Sequence, residues 1–427
     1  MVTRMSPSAV GSCLAFVLAG GRGSRLHELT VEECKPAVAF ASSSRIIDFA
    51  LANTLNSGLR HVLVATQYRP ARLVSHIHSR WRARFGLAGG SIETLASGSE
   101  NAEGGYKGTA DAVYRNIAAI EARAPRHVLV LAADHVYQMD YGRLLSAHVA
   151  SGADVTIAAD VVPAEEAQGF GIMDTDTAGR IVDFVEKPAK PPMLADRPGH
   201  SLASMGIYVF DWPLLRAILT ADAADPRSSH DFGKDVLPKL IAAGNAFAHR
   251  LSAPGDAEKP GYWRDVGTLD ALHAANMDLL DRTACNRLDL AGWPLHVGWV
   301  DDRFDGGSLV FPGSEPKGGV LARSVVGPLV SLGADARVLR SVLMPGVALD
   351  GPVRLTNAIV APGVRISGSL AVGEDESEDA QWFRRTPGGV VLIDQRMLDR
   401  RQMARRLLHG WRPGPGRRLP DRMGRTQ

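Results

Sequence analysis

The sequence predicts an α/β fold: a three-layer domain with a mostly parallel sheet, followed by a parallel β-helix. Three observations support this prediction. Short apolar runs alternate with amphipathic segments through most of the N-terminal part, and apolar residues recur at every sixth position in much of the remainder. The chain of 427 residues is also long enough for two domains of about 100–200 residues each.

Alternating strands and helices are predicted in the N-terminal part. The predicted strands are Ala15–Ala19, His61–Ala65, His127–Ala133 and Val155–Ala159. The predicted helices are Ile47–Asn56 and Ala110–Ala122, and Gly58 stands where a helix C-cap favours glycine. This alternation indicates a mostly parallel sheet covered by helices. Ligands bind beyond the carboxyl ends of the strands of such sheets, so we expect the functional site there.

A six-residue period of apolar residues follows in the C-terminal part. The residues that carry it are Val326, Leu332 and Val338, then Val353 and Ile359, then Val364 and Leu370 one phase step later. Small and turn-forming residues fill the gaps. Such a period is typical of a parallel β-helix, in which each triangular coil stacks on the last. Irregular antiparallel strands with chance spacing are the alternative.

Composition excludes several functional classes. Hydrophobic residues make up 45% and charged residues 22%, and the net charge of +2 would attract neither nucleic acid nor a membrane surface. Cys13, Cys34 and Cys285 are widely spaced and odd in number, which fits no disulfide framework or zinc site and favours a reducing cytoplasm. No apolar run approaches the roughly 20 residues that span a bilayer. The apolar run from Cys13 could pass for a signal-peptide core, but a glycine-rich turn follows at once, so a strand is predicted.

The chain ends in a basic segment, residues 396–427, that is rich in Arg, Pro and Gly. Such a composition buries little apolar surface, so disorder is expected. A solvated tail is the simple interpretation, and contact with an acidic partner is the alternative.

A glycine-rich loop follows the first predicted strand, with the sequence Gly20-Gly21-Arg22-Gly23-Ser24-Arg25-Leu26. Glycines let the backbone approach phosphates and point N–H groups at them, and arginines add charge-assisted hydrogen bonds. The loop lacks the third glycine of a dinucleotide-binding G-x-G-x-x-G motif and the Gly-Lys-Ser/Thr ending of an ATPase phosphate loop. Lys35, ten residues after Arg25, is a candidate second cation.

Several motifs, in chain order, resemble those of a known family. The glycine-rich loop and Lys35-Pro36-Ala37-Val38 resemble the nucleotidyltransferase signature of sugar-nucleotide pyrophosphorylases. Further stretches resemble the bacterial-type ADP-glucose pyrophosphorylases: Arg45–Leu51, Gly108–Val113, Phe184–Pro188, Leu202–Phe210, Ser229–Asp235 and Tyr262–Thr268. The resemblance implies a Rossmann-like nucleotidyltransferase domain over residues 1–283, a linker and left-handed β-helix over residues 284–395, and the tail over residues 396–427.

The resemblance implies that the adenylyl group of ATP is transferred to α-D-glucose 1-phosphate, with release of pyrophosphate, for glycogen biosynthesis. It also implies a cytoplasmic, allosteric homotetramer that uses Mg²⁺. The chemistry is consistent with this activity. A phosphate carries about −1.5 to −2 charges near neutral pH, so cations must dominate a site that brings two such groups together. Positioning and electrostatic stabilisation then suffice, because no protein nucleophile is needed.

Two carboxylates are candidate metal ligands. Asp134 follows an apolar strand, at an end where ligands bind, and Asp265 follows Tyr262-Trp263-Arg264. A few oxygen ligands combined with substrate phosphates suit Mg²⁺. Asp134 and Asp265 match the metal-binding pair of the family. For either aspartate alone, a helix cap or a surface position is the alternative.

Residue by residue, the resemblance also implies the substrate contacts. The catalytic set is Arg25, Lys35, Asp134 and Asp265, of which Arg25 and Lys35 should hold the leaving pyrophosphate. Lys187 should hold the phosphate of glucose 1-phosphate. The other residues of the glucose 1-phosphate pocket are Tyr106, Gly171, Glu186, Ser204, Tyr208, Asp231 and Trp263. The residues assigned to the nucleotide are Leu18, Ala19, Gly20, Gly21, Gly23, Ser24, Gln67, Gly108 and Thr109. Packing for Tyr208 and helix capping for Asp231 remain alternatives.

The sequence departs from well-studied bacterial members at the activator site. Glu32 and Glu33 stand where those members carry basic residues. Two carboxylates would repel a sugar bisphosphate, so strong activation by fructose 1,6-bisphosphate is not expected.

Two alternative functions remain open, and a third is disfavoured. Another base, as in UDP-glucose or dTDP-glucose pyrophosphorylases, is the nearest, because backbone groups often select the base. A non-catalytic regulatory subunit could lose Asp134, Arg25 or Lys35, yet all three are present. A hexad-repeat acyltransferase would need a catalytic histidine, and Val320–Val372 contains none.

Overall fold

The computed structural model describes residues 7–41, 44–99, 104–281, 293–294, 303–305, 307–316 and 318–410. Most of the expected linker, with Cys285, and the tail from residue 411 lie outside these described residues. Within them, no helix combines the length and the apolar character that crossing a bilayer requires.

The N-terminal part alternates strands and helices. Its strands are β1 (Cys13–Ala19), β2 (Ala39–Phe40), β3 (Ser44–Arg45), β4 (His61–Thr66), β5 (Ser91–Ala96), β6 (His127–Ala132), β7 (His135–Tyr137), β8 (Val155–Pro163), β9 (Gly171–Thr175), β10 (Ile181–Glu186), β11 (His200–Asp211), β12 (Ala246–Arg250), β13 (Ser252–Ala253), β14 (Asp256–Pro260) and β15 (Trp263–Asp265). Its α-helices are α1 (Pro7–Gly11), α2 (Ile47–Asn56), α3 (Ala71–His76), α4 (Arg82–Leu87), α5 (Thr109–Tyr114), α6 (Ile117–Glu121), α7 (Tyr141–Ser151), α8 (Trp212–Ala223), α9 (Leu237–Ala242) and α10 (Leu269–Asp278). Short 3-10 helices span Ser24–Thr30, Lys35–Ala37 and Ala167–Gly169, and π-helical turns span Ile77–Trp81 and Phe232–Val236.

The central sheet has the order β10-β9-β11-β6-β1-β4-β5, and β8 pairs with both β11 and β12. Strands β6, β1, β4 and β5 are mutually parallel, whereas β11 pairs antiparallel with β6 and β8. Neighbouring Phe16 and Val17 of β1 face opposite sides of the sheet, and both are fully buried. Burial on both faces is expected of parallel strands covered by helices, so the predicted α/β class with a mostly parallel sheet is confirmed.

The predicted helix Ile47–Asn56 is confirmed at both ends. Gly58 has φ of 85°, and the Leu59 N–H donates to the carbonyl oxygen of Thr54 at 3.1 Å. This is the glycine C-cap that the sequence predicts. The predicted strand Val155–Ala159 also exists. The prediction that it pairs in parallel with its neighbours is wrong for one of the two. The long strand β11 lies between β6 and β8 and pairs antiparallel with both.

The predicted helix Ala110–Ala122 is interrupted between α5 and α6 at Asn116, which has φ of −112° and ψ of 17°. The Asn116 Nδ2 donates to the carbonyl oxygen of Ala112 at 2.7 Å and to the hydroxyl of Tyr106 at 3.0 Å. Asparagine side chains that bond nearby backbone groups compete with helical geometry. The single-helix prediction is therefore wrong because the Asn116 side chain bonds the backbone of α5 at Ala112 and the Tyr106 hydroxyl outside it.

The C-terminal part is a parallel β-helix. Its strands are β16 (Arg303–Asp305), β17 (Ser308–Val310), β18 (Glu315–Pro316), β19 (Val320–Ala322), β20 (Val325–Val326), β21 (Ser331–Leu332), β22 (Arg337–Leu339), β23 (Val342–Leu343), β24 (Ala348–Asp350), β25 (Val353–Thr356), β26 (Ala358–Val360), β27 (Arg365–Ser367), β28 (Leu370–Val372), β29 (Arg384–Arg385) and β30 (Val391–Ile393). Its helices are α11 (Glu376–Trp382) and α12 (Gln395–Gly410).

Three sheets form the faces of the β-helix, with the orders β16-β17-β20-β23-β26-β30-β29, β18-β21-β24-β27 and β19-β22-β25-β28. The apolar residues of the six-residue period are buried inside it. Parallel pairing places Val325 beside Val342, and Val342 beside Ile359. A coil of this stretch is thus one residue shorter than three hexads, which explains the phase step in the sequence.

The expectation of disorder from Arg396 is wrong for residues 396–410, which lie in α12. Met397 and Leu398 are buried, and Arg401 and Arg405 each lie 3.0 Å from the Glu378 carboxylate on α11. The basic composition of this segment suggested a solvated chain. In the structure Arg401 and Arg405 pair with Glu378, and Met397 and Leu398 pack inward, whereas Met403 and Leu407 remain exposed.

Candidate active site

A cleft of about 480 Å³ opens at the carboxyl ends of the parallel strands. Gly20 and Gly21 follow β1, Gln67 follows β4 and Asp134 follows β6, and all of them line the cleft. Neighbouring parallel strands end at one edge of the sheet, so residues far apart in sequence meet there. This is the edge at which the sequence predicts the functional site.

The glycine-rich loop after β1 packs closely against Lys35. Gly23 has φ of 68°, and a Cβ at this position would lie 2.6 Å from the Cβ of Lys35. The Lys35 N–H donates to the carbonyl oxygen of Gly21 at 3.4 Å. Only glycine combines this backbone conformation with this close approach, so the loop fixes the position of Lys35.

Lys35, Asp134 and Asp265 form the charged centre of the site. The Lys35 Nζ lies 3.0 Å from Asp134 Oδ2 and 2.8 Å from Asp265 Oδ1. Antiparallel pairing of β7 with β15 places Asp265 opposite His135, next to Asp134. Arg25 is at the edge of the cluster, with Nη2 3.9 Å from Asp265 Oδ2.

The three charged groups depend on one another. Burial raises the pKa of Asp134, but the charge of Lys35 and then that of His135 outweigh burial and hold this pKa well below its ordinary value. Burial lowers the pKa of Lys35, and the two neighbouring aspartates more than reverse that effect. Lys35 is only 4% exposed, and a buried ammonium is stable only when it is paired and hydrogen-bonded.

The residues of this cluster fit a divalent metal ion. Ligand atoms of Asp134, His135 and Asp265 all lie within 4.8 Å of one another. The His135 Nε2 is 3.5 Å from Asp134 Oδ1 and 4.0 Å from Asp265 Oδ1. Both carboxylates already face one cation, the ammonium of Lys35, so the pair is arranged around positive charge. Carboxylate oxygens are the ligands that hard dications prefer.

The opposite wall of the cleft contains Glu186 and Lys187 at the end of β10. The Lys187 Nζ is 3.5 Å from Glu186 Oε1, and the lysine side chain is 61% exposed. A Cβ at Gly171 would lie 2.4 Å from the ring of Phe184 and 2.9 Å from Glu186 Oε2. Glycine at position 171 therefore leaves the space that the Glu186 carboxylate occupies.

Strand β11 contributes Ser204 and Tyr208 to the same wall. The Ser204 Oγ accepts a hydrogen bond from the Gly206 N–H at 3.3 Å. The Tyr208 ring packs on Phe232 with the centroids 5.6 Å apart, and burial raises the pKa of its hydroxyl. Tyr208 thus packs, as the alternative interpretation held, and also presents a neutral phenol at the cleft.

Thr109 and Asp231 connect the two sides of the cleft. The Thr109 hydroxyl donates to Asp231 Oδ2 at 3.0 Å. The Asp231 Oδ1 accepts from the N–H groups of Gly233 and Lys234 at 3.0 and 3.2 Å. Asp231 therefore caps the turn Phe232–Val236, as the alternative interpretation held, and it also lines the cleft.

His230 fixes the backbone at this junction. Its φ is 57°, and its carbonyl oxygen accepts from the Ala110 N–H of α5 at 2.9 Å. The buried Asp222 holds the imidazole, with Oδ2 3.0 Å from Nδ1. A Cβ at Gly108 would lie 2.3 Å from the His230 carbonyl oxygen, so this approach requires glycine.

Tyr106 and Gln67 close the cleft above the sheet. The Gln67 Oε1 accepts from the Tyr106 N–H at 3.1 Å, and the guanidinium of Arg115 lies 5.4 Å from the centroid of the Tyr106 ring. Burial raises the pKa of the Tyr106 hydroxyl, so this group stays neutral. The amide oxygen of Gln67 is therefore hydrogen-bonded to the backbone of a residue on the same rim of the cleft.

Most of the residues that the sequence singles out meet at this cleft. Those that line it are Leu18, Gly20, Gly21, Gln67, Tyr106, Gly108, Thr109, Asp134, Gly171, Glu186, Lys187, Ser204, Tyr208 and Asp231. Lys35, Asp265 and Arg25 join it through the charged centre. Outside the lining are Ala19, Gly23, Ser24 and Trp263. Trp263 instead packs edge-on against His135 and Phe170, with centroids 5.2 and 5.1 Å away.

The lining residues that sequence reasoning did not assign to the site include His135, Phe170 and Gly233. His135 follows Asp134 directly, and a histidine beside a candidate metal ligand is a signal that could have found it. Phe170 and Gly233 are ordinary residues beside predicted ones. Gly233 is needed because a Cβ would lie 2.8 Å from Glu186 Oε2, a contact between residues distant in sequence.

Comparisons with known proteins match two family models and several named relatives. Residues 14–282 match the family model described as nucleotidyl transferase, and residues 304–393 match the one described as GlmU-like, C-terminal hexapeptide. The chain is 44% identical over 406 residues to the glucose-1-phosphate adenylyltransferase of Novosphingobium aromaticivorans, which covers 90% of this chain and 96% of the relative. It is 43% identical to proteins of the same name from Cereibacter sphaeroides, covering 92% and 96%, and from Rhizobium meliloti, covering 94% and 99%.

Proposed function

The chain belongs to the glucose-1-phosphate adenylyltransferase family, and on that premise we propose that its cleft joins ATP and α-D-glucose 1-phosphate into ADP-glucose and pyrophosphate. One observation carries the proposal. A glycine-rich loop and a paired-carboxylate centre form one side of the cleft, while hydroxyl and carboxylate groups beside Lys187 form the other. Such a cleft can hold a triphosphate against a sugar phosphate.

The reaction needs two anions to be aligned. An oxygen of the sugar phosphate attacks the α-phosphorus of ATP, the bond from that phosphorus to the bridging oxygen breaks, and pyrophosphate leaves with the bonding electrons. We assign the nucleotide to the glycine-rich loop, Gln67, Gly108 and Thr109, and the glucosyl phosphate to Lys187. We also assign Arg25, whose side chain is 66% exposed, to the leaving pyrophosphate. These cations offset the repulsion between the substrates.

Members of this enzyme class use divalent metal ions, and we propose Mg²⁺ for this chain, held by Asp134 and Asp265. When bound, Mg²⁺ would neutralise phosphate charge and orient the triphosphate. The paired carboxylates and the buried Lys35 support the assignment, because they show a pocket organised around cations. Lys35 then supplies a fixed positive charge next to the phosphates rather than a mobile contact.

The choice of base is tested by measuring pyrophosphate release from the purified chain with Mg²⁺ and glucose 1-phosphate. We expect release with ATP to exceed release with UTP, dTTP or GTP by about 100-fold, because each buried polar group left unpaired by the wrong base costs about 1–3 kcal/mol. A higher rate with UTP or dTTP would keep the enzyme class and overturn the ATP assignment. No release with any nucleotide would favour a regulatory subunit.

We further propose that fructose 1,6-bisphosphate activates this enzyme weakly. Three glutamates form ion pairs with the arginines of the surface where an anionic activator would bind. The Glu28 carboxylate accepts from Arg384 Nε at 2.6 Å, and Glu32 Oε1 lies 3.1 Å from Arg396 Nη2. Glu33 holds Arg45 in the same way, at 2.9 Å. A bisphosphate would have to displace carboxylates from these guanidinium groups.

Titration of fructose 1,6-bisphosphate into the ATP-dependent assay is expected to change the rate by less than about 5-fold, the lower end of ordinary allosteric coupling. Glu32→Gln removes the charge that competes for Arg396, so this variant should respond more strongly than the wild type. Glu258→Gln, at an exposed glutamate in β14, is the matched control. A large activation of the wild-type protein would contradict the proposal.

Several broader features complete the proposal. The domain division at residues 283 and 395 is supported by the family matches to residues 14–282 and 304–393, with α12 extending the second domain. We propose a cytoplasmic location, because three widely spaced cysteines fit a reducing compartment, and we propose glycogen biosynthesis as the pathway on the resemblance to the family. A homotetramer assembled through the β-helix is the proposed assembly, and sedimentation analysis tests it.

A further inference from the structure

A second cluster of metal-ligating side chains lies at the opposite end of the sheet from the cleft. It contains His127 at the start of β6, His148 on α7 and Asp211 at the end of β11. Pairing of β11 with β6 places Asp211 directly opposite His127. Strand β6 runs from this cluster toward Asp134, and its length, roughly 17 Å at about 3.3 Å per residue, separates the two ends.

The ligand atoms of the cluster face one another. His127 Nε2 is 3.1 Å from Asp211 Oδ1, and His148 Nε2 is 3.7 Å from the same oxygen. The second distance is too long for a hydrogen bond. Ligand atoms about 2.0–2.2 Å from a tetrahedral zinc ion lie about 3.3–3.6 Å from one another, between the two observed distances. The spacing therefore suits a shared ion.

The ring of His148 is held in the orientation that such a site needs. Its Nδ1 lies 2.9 Å from the hydroxyl of Thr156, which leaves Nε2 turned toward Asp211. Metal-binding histidines typically have their second ring nitrogen fixed in this way. The rings of His127 and His148 are nearly perpendicular, at 87°, with centroids 5.6 Å apart. The two imidazoles therefore reach Asp211 from different directions.

Burial and charge also favour a metal ion. The side chains of His127 and His148 are 3% and 2% exposed, whereas that of Asp211 is 52% exposed. Both imidazoles are therefore shielded from water, and the Asp211 carboxylate supplies a negative charge beside them. The exposed side at Asp211 gives an ion access and room for a water ligand.

We propose that His127, His148 and Asp211 form a binding site for a transition-metal dication of the Zn²⁺ type. Two imidazoles and one carboxylate match the preference of zinc, whereas Mg²⁺ and Ca²⁺ prefer oxygen ligands alone. An ion bound there connects α7 to two strands of the central sheet. Because it binds only the folded chain, it raises the melting temperature.

Zinc binding is measured on the full chain, stripped of metal, by equilibrium dialysis against Zn²⁺ with millimolar Mg²⁺ present. The cluster of Asp134, His135 and Asp265 could also take zinc, so Asp134→Asn serves as the parent protein. We expect the parent to bind one zinc ion at this site. Adding Asp211→Asn or His148→Gln should weaken binding by at least about 10-fold and abolish the zinc-dependent rise in melting temperature.

Asp211→Asn is the milder of the two variants, because it keeps the shape of a half-exposed side chain, and circular dichroism checks the fold of each. Thr156→Val should weaken zinc binding by about 10- to 100-fold through the orientation of His148 alone. Asp174→Asn, at an exposed aspartate of β9, is the matched control and should leave zinc binding unchanged. Undiminished zinc affinity in both Asp211→Asn and His148→Gln, or no zinc bound by the parent, would overturn the proposal.

Discussion

Asp134→Asn is expected to lower kcat for ADP-glucose formation by about 100-fold or more, the loss that follows when an electrostatic group at the reacting phosphate is removed. The asparagine keeps the shape of the side chain and removes its charge. It leaves Asp265 as the single carboxylate of the proposed metal pair, and Lys35 loses one of its two partners. The measurement is pyrophosphate release at saturating ATP and glucose 1-phosphate over a range of Mg²⁺ concentrations.

Asp174→Asn is the matched control for this substitution, because Asp174 is exposed and its carboxylate accepts from the N–H of its neighbour Thr175 at 2.9 Å. The Asp174→Asn variant should keep the wild-type rate of pyrophosphate release. Excess Mg²⁺ should restore part of the activity of Asp134→Asn if the defect lies in metal affinity. A wild-type rate in Asp134→Asn would show that Asp134 is not part of the catalytic centre. This conclusion would not depend on whether ATP is the correct nucleotide.

Local signals explain which parts of the fold the sequence predicts well. Both ends of the helix Ile47–Asn56 follow from residues within and next to it, above all Gly58. The apolar period of the β-helix repeats the same constraint in every coil, so chance errors at single positions do not hide it. The break at Asn116 is different, since it depends on a hydrogen bond to Tyr106 that only the folded chain provides.

The residues of the site also divide into those that local sequence signals predict and those that depend on contacts in the folded chain. The glycine-rich loop and Asp134 have local signals, because each follows an apolar strand at its carboxyl end. Asp265 lies close to Asp134 because β7 pairs with β15, and no sequence pattern in either segment predicts that pairing. The ordered helix after Gln395 likewise depends on Glu378, a partner that composition does not reveal.

Lys35→Gln is expected to reduce both activity and stability, because Lys35 is the buried cation that neutralises two partly exposed carboxylates. Removing one member of a fully buried ion pair costs about 3–5 kcal/mol, and solvent screening at the partly exposed Asp134 and Asp265 makes the cost smaller here. The melting temperature measured in a chelator should therefore fall. Activity should fall by at least about 100-fold, because a fixed positive charge beside the phosphates is lost.

Mg²⁺ distinguishes this explanation from simple misfolding. In Lys35→Gln the carboxylates of Asp134 and Asp265 have no ammonium between them, so added Mg²⁺ should raise the melting temperature of the variant more than that of the wild type. Lys187→Gln, the matched substitution at an exposed lysine, should leave the melting temperature unchanged and raise KM for glucose 1-phosphate. Equal Mg²⁺ shifts in Lys35→Gln and the wild type would show that the ammonium does not compete with metal. Lys35 would then act on the phosphates alone, as the sequence first suggested.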